Sequence, residues 1–193
     1  MFFKRAEYKH FYLEYGGIEF EIIRRSVKYF RVEFRGKIPR IIVPMGENVE
    51  KILMDNIVRI KKKYSDYLKL ERKGDSLRFV SRDHDSFKKI ISTCISIYSD
   101  ELGVKVKEVK LRKMKRMWGN CRSNGVITLN SKLIKLPEKL ISYVIYHEIL
   151  HLNEKGGHSK RFKNKMRFKF PNLKSLDSEL RAYYYKFETE KNG

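Results

Sequence analysis

Apolar and polar residues alternate with a period of two at Ile18, Phe20 and Ile22, with Glu19 and Glu21 between them, and again at Phe30, Val32 and Phe34, interleaved with Arg31, Glu33 and Arg35. That is the period of half-buried strands. Together with Ile41-Ile42-Val43 these runs predict two antiparallel strands and a third. Pro44 and Gly46 punctuate the chain, and Val49, Ile52, Leu53, Ile57, Ile60, Tyr64 and Tyr67 then recur at helical spacing up to about Leu70. Gly74 is read as opening a turn or short strand around Leu77-Arg78-Phe79-Val80. A second helix follows through Phe87, Ile90, Ile91, Cys94, Ile95 and Tyr98, with Asp83 or Asp85 as its N-cap and Gly103 as its stop.

From Val104 to Met117 the alternation returns with one slip, as in a strand carrying a bulge, and Val126-Ile127-Thr128-Leu129-Asn130 reads as its partner across a turn rich in Gly and Asn. Pro137 suits a first helical turn, and the helix it opens is expected to run to Gly156-Gly157. Two further helical patterns run through Phe162 and Met166, and through Leu173, Leu176, Leu180, Tyr183 and Phe187.

With 193 residues and 41% apolar content the chain can bury a genuine core, so disorder is excluded as the default. Only Cys94 and Cys121 are present, too few for a disulfide framework, and the N-terminus lacks a long apolar run after its basic residues. No apolar stretch approaches bilayer length. A cytoplasmic protein without a membrane partner is the expectation. Forty-four Lys and Arg stand against twenty-three Asp and Glu, a formal charge of +21 that favours polyanionic or acidic partners.

The sharpest chemical signal is His147-Glu148-Ile149-Leu150-His151. On a helix the two histidines fall about 40° apart, so both imidazoles can reach one ion. Glu148 falls about 60° beyond His151, close to the centre of the stripe formed by Ile141, Val144, Ile145 and Leu152. A carboxylate buried there needs a compensating charge, which a divalent cation supplies. Two neutral imidazoles with an open metal position for water, and a carboxylate able to take that water's proton, are the parts of a zinc hydrolase. A third ligand is needed. His158 follows a Gly-Gly pair able to turn the chain back, and Glu179 on a later helix is the other candidate. The six residues between His151 and His158 do not match the HExxHxxGxxH pattern.

Three blocks, Trp118-Gly119-Asn120-Cys121 with Leu129-Asn130, His147-Glu148-x-x-His151-Leu152, and His158-Ser159-x-x-Phe162, resemble the YgjP-like metallopeptidase family, a branch of the zincin fold distantly related to the SprT-like proteases. Asn120 and Lys163 depart from that family's usual residues. The resemblance implies an α+β, zincin-like fold in which an N-terminal antiparallel or mixed sheet carries helices packed on it and an HExxH active-site helix. It implies a single domain over residues 1–193, with N-terminal strands and a helix at 1–80 and a catalytic core at 84–193. It also implies one Zn2+ held by His147, His151 and His158, Glu148 as general acid/base, and peptide or protein substrates.

Zincins commonly hold substrate as an added strand on a sheet edge, and Val126 to Asn130 is the expected edge. Trp118, Thr128, Leu129 and Asn130 form the candidate substrate-binding set. Tyr183, Tyr184 and Tyr185 are candidate oxyanion donors, and Cys121 a less favoured metal neighbour. Residues 105–122 carry eight basic side chains against one acid, and 158–174 carry seven against none. Both runs flank the metal motif, which makes nucleic acid a second candidate partner and a DNA-linked protease or a binding module with an idle metal site the alternative function.

Overall fold

The computed structural model describes residues 9–34, 38–115, 117–154 and 157–190, with the side chain of Thr189 left out. They divide into two compact units, one formed by residues up to Ser76 together with those from Arg181 onward, the other by Leu77–Leu180.

The first unit is built on strands β1 (His10–Tyr15), β2 (Ile18–Arg25), β3 (Arg31–Glu33) and β4 (Arg40–Pro44), in the spatial order β1-β2-β4-β3. β1 and β2 are antiparallel, β2 and β4 parallel, and β3 and β4 antiparallel, so the sheet is mixed. The run around Phe30 to Phe34 therefore pairs with β4, and β2 takes its antiparallel partner from His10–Tyr15, a segment outside the expected strands. Arg35 of that run lies outside the described residues. Leu13, Phe20, Ile22, Ile41 and Val43 point to one side and meet Val49, Leu53 and Ile60 of helix α1 (Val49–Ser76), removing the apolar faces of both layers from water. The helix passes beyond Leu70 and includes Gly74, where a turn was expected. A Cβ on Gly74 would stand 2.9 Å from the Ala182 carbonyl oxygen, so the residue that weakens the helix locally is the one that lets two backbones meet.

In the second unit, helix α2 (His84–Leu102) starts at Asp83, whose side chain accepts from the Asp85 and Ser86 amides, and ends at Gly103 with φ 62°. These are the expected caps. Residues 77–83 have no regular structure, and Val80 N–H donates to the Lys135 carbonyl. Strands β5 (Glu108–Arg112), β6 (Gly119–Cys121) and β7 (Val126–Asn130) form a second sheet in the order β5-β7-β6. β7 is parallel to β5 and antiparallel to β6. A 3-10 turn (Ser131–Lys135) leads into α3 (Glu138–Asn153), followed by α4 (Lys160–Lys169) and α5 (Leu173–Thr189), whose residues up to Leu180 belong to this unit.

α3 is the centre of this unit. Leu140, Ile141, Tyr143, Val144, Ile145, Tyr146, Ile149 and Leu150 are all buried, more of its circumference than a single stripe. α2 packs along it, with Tyr98 and Tyr146 rings edge to face at 5.1 Å and the Tyr98 hydroxyl 2.5 Å from that of Ser142. Among the described residues no helix is long and apolar enough to cross a membrane. The architecture is α+β.

Candidate metal centre

His147 and His151 project from neighbouring turns of α3, and His158 approaches them from the segment after the helix. One ring nitrogen from each lies within 4.8 Å of the other two, and no other such group of His, Cys, Asp or Glu occurs among the described residues. The ring centroids are 5.0 Å apart for each pair. Nε2 of His147 and Nε2 of His158 are 3.0 Å apart. Tetrahedral zinc with bonds of 2.0–2.1 Å would set such nitrogens about 3.3 Å apart, so the spacing and the all-imidazole donor set suit this ion.

Local chemistry explains the convergence. α3 stops at Asn153, with Glu154 N–H donating to the Leu150 carbonyl. Gly156, part of the expected stop, lies outside the described residues. Gly157 has φ 74°, and Ser159 caps α4 by accepting from the Phe162 amide. Phe162, 1% exposed, sets its ring 5.0, 4.7 and 4.9 Å from the rings of His147, His151 and His158, so one aromatic surface backs all three imidazoles. The buried Glu154 carboxylate meets Arg161 at 2.9 Å and Lys165 at 2.6 Å, tying the end of α3 to α4.

Glu148 is 7% exposed. Burial raises its pKa to about 7. Burial, then the His151 and His158 imidazoles, push His147 down to about 4, and burial, then His158, lower His151. His147 and His151 thus favour the neutral, metal-ready form. Glu148 lies against Gly119 of β6, where a Cβ would fall 2.6 Å from its Cγ and Oε1. The strand can cross the carboxylate so closely only because residue 119 has no side chain.

A cleft of about 760 Å3 lies over the triad, bounded on one side by β6 with its flanking residues Met117, Arg122 and Ser123. β6 is the edge strand beside the site. This corrects the expectation for Val126 to Asn130: β7 is hydrogen-bonded on both sides, so its backbone is not free for an added strand. Leu129 is fully buried and Thr128 pairs with Lys110 and Asn120. The Asn130 side chain donates to the Met114 and Met117 carbonyls and accepts from the Lys132 amide, which makes it scaffolding for the loop before β6. Trp118 borders a smaller cavity next to His147 and Glu148.

Glu179 is engaged by Lys139 at 2.9 Å and stands outside the triad. Cys121 lines the cleft, but burial, then Glu148, raise its thiol to about 11, so it is no ready metal ligand. Tyr183 is 2% exposed and Tyr185 lies edge to face on Tyr67 at 4.9 Å, both within the first unit. Sequence reasoning missed Tyr143 and Asp177, whose hydrogen bond of 2.5 Å lines the smaller cavity. Of the basic run 158–174, Arg161, Lys165 and Lys169 are in ion pairs with Glu154 and Glu101.

Among solved structures the chain is similar to the metallopeptidase zymogen abylysin of Pyrococcus abyssi, with 26% identity over 47% of this chain and 90% of that one and a TM-score of 0.42. It is also similar to the metallopeptidase zymogen jannalysin of Methanocaldococcus jannaschii, with 21% identity over 53% and 91% of the two chains and a TM-score of 0.43. A comparison with curated proteins finds no match. The family described as YgjP-like, metallopeptidase domain matches residues 34–183, most of the chain and all of the site. The chain belongs to the YgjP-like metallopeptidase family.

Proposed function

We propose that this protein is a zinc peptidase in which His147, His151 and His158 hold the ion and Glu148 acts as general base and then general acid. The observation that carries this reading is the meeting of three imidazole nitrogens within 4.8 Å beside a buried carboxylate. Bound zinc supplies a Lewis acid that polarises a carbonyl and lowers the pKa of water. Glu148, raised towards neutrality by burial, is suited to accept a proton from the attacking water and to return it to the departing amine. Phe162 and the Glu154 ion pairs hold the donors in place, so that little reorganisation is needed when the ion binds. β6, the exposed edge over the cleft, is the strand on which an extended peptide would lie.

The test is hydrolysis of a mixed peptide library by zinc-loaded protein, with Glu148→Gln alongside. Cleavage by the wild type, lost in the variant while zinc content is unchanged, supports the reading. Equal activity in both rejects the role of Glu148.

A polyanion partner has narrower support, from Lys105, Lys107, Arg112, Lys113 and Lys115, which are exposed around β5. Absence of single-stranded DNA binding at low salt, where counterion release favours it most, would exclude it.

A further inference from the structure

Beside the metal centre lies a second cavity, of about 190 Å3, that no step above uses. It shares Gly119, His147 and Glu148 with the main cleft but neither His151 nor His158, so it opens on the Glu148 flank of the triad. Trp118, Val144 and Leu180 give it apolar walls. Its polar end is Asp177, whose Oδ1 accepts from the Tyr143 hydroxyl at 2.5 Å.

Lys and Arg outnumber Asp and Glu by 44 to 23, and several acids of this unit are met by cations: Glu179 by Lys139, Glu154 by Arg161 and Lys165, Glu101 by Lys169. Asp177 has no ion pair among the described residues, its Oδ2 has no protein partner there, and no Lys or Arg lines the cavity. Tyr143 engages one oxygen and leaves the other without a protein donor, at a cavity with Trp118, Val144 and Leu180 on its sides. A methylene stem ending in a cation fits that arrangement, because the walls cover the stem and the carboxylate meets the charge. An acidic side chain would set two carboxylates together, and an aliphatic one would leave Oδ2 without a donor.

Resting on the peptidase reading above, we propose that this cavity receives the side chain of the substrate residue whose amine departs, and that Asp177 selects lysine or arginine there. The side of the cut follows from Glu148: the group that returns the proton to the departing amine must lie next to the residue carrying it, and Glu148 forms part of the cavity wall.

Trp118, the single tryptophan of the chain, borders the cavity and reports on its occupancy without any turnover. Lysinamide and norleucinamide, which differ by the terminal ammonium, are titrated against Trp118 fluorescence in wild type and in Asp177→Asn, and the zinc-loaded wild type is profiled on the peptide library. The inference requires half-saturation by lysinamide at a concentration at least tenfold below that for norleucinamide, a ratio that drops to about one in Asp177→Asn, and cleavage enriched before Lys and Arg. Equal response to the two amides, or cleavage enriched before aliphatic or acidic residues, overturns it, and the wild-type measurements alone decide if the variant does not fold. Discrimination between the amides with no peptide cleaved would uphold the cation-selective cavity and refute the peptidase reading; cleavage without discrimination would do the reverse.

Discussion

Gly119 and Glu148 touch so closely that any side chain at 119 would force the carboxylate to move: a Cβ there would lie 2.6 Å from Cγ and Oε1. The glycine of the Trp118-Gly119-Asn120-Cys121 block thus sets the position of the proposed general base from a strand far away in sequence.

Gly119→Ala should therefore displace Glu148 while leaving the three histidines intact. Misplacement of a reacting group by about 1 Å can lower rates by about a hundredfold. The expected outcome is a fall in kcat of that order with one zinc still bound, together with a loss of about 1–3 kcal/mol in stability from overpacking. Parallel kinetics, metal analysis and urea denaturation check it; unchanged kcat would mean that Glu148 is free to move.

Phe162 links stability to metal affinity. Its ring is buried and touches all three imidazoles, so Phe162→Ala should cost about 3–5 kcal/mol by cavity formation. Loosening of the rings should weaken zinc binding by about 10- to 100-fold, the range expected for outer-shell supports. Chemical denaturation and competitive zinc titration measure the two effects separately.

The first unit should be acid-sensitive through Glu21. Burial raises the pKa of this carboxyl, but hydrogen bonds from Arg40 and His10 outweigh burial, and the net shift is downward. His10 Nε2 is 2.7 Å from Oε1, and Arg40 Nε donates to Oε2. A carboxylate with a lowered folded-state pKa contributes stability that is present above its unfolded pKa and is lost as pH falls through the folded value. Glu21→Gln should remove that contribution, so its stability, followed by denaturation between neutral and acidic pH, should fall less than that of the wild type.

The metal motif was legible in sequence because helical geometry alone brings His147 and His151 together. Sequence offers His158 as the third histidine without fixing where it sits, since its position depends on the Ser159 cap and on the contact between Phe162 and the rings of α3. β1 carried a usable signal, with Phe11, Leu13 and Tyr15 turned inward and Gly16-Gly17 forming the turn to β2. β6 carried almost none: Gly-Asn-Cys has no apolar alternation, and only its pairing with β7 makes it a strand. That missing strand is why Val126 to Asn130 looked like an edge. Tyr143 and Asp177 were overlooked because a tyrosine on a buried helix and an aspartate on a later one read as ordinary packing and surface, and their meeting is a long-range event.

The most direct test of the metal centre is zinc stoichiometry in wild type, His158→Ala and Glu179→Ala, with X-ray absorption at the zinc edge on the wild type. One ion per chain in an imidazole-rich shell, lost or greatly weakened in His158→Ala and retained in Glu179→Ala, is the predicted result. No zinc in the wild type and no affinity for added zinc, or binding untouched by His158→Ala, would contradict the account.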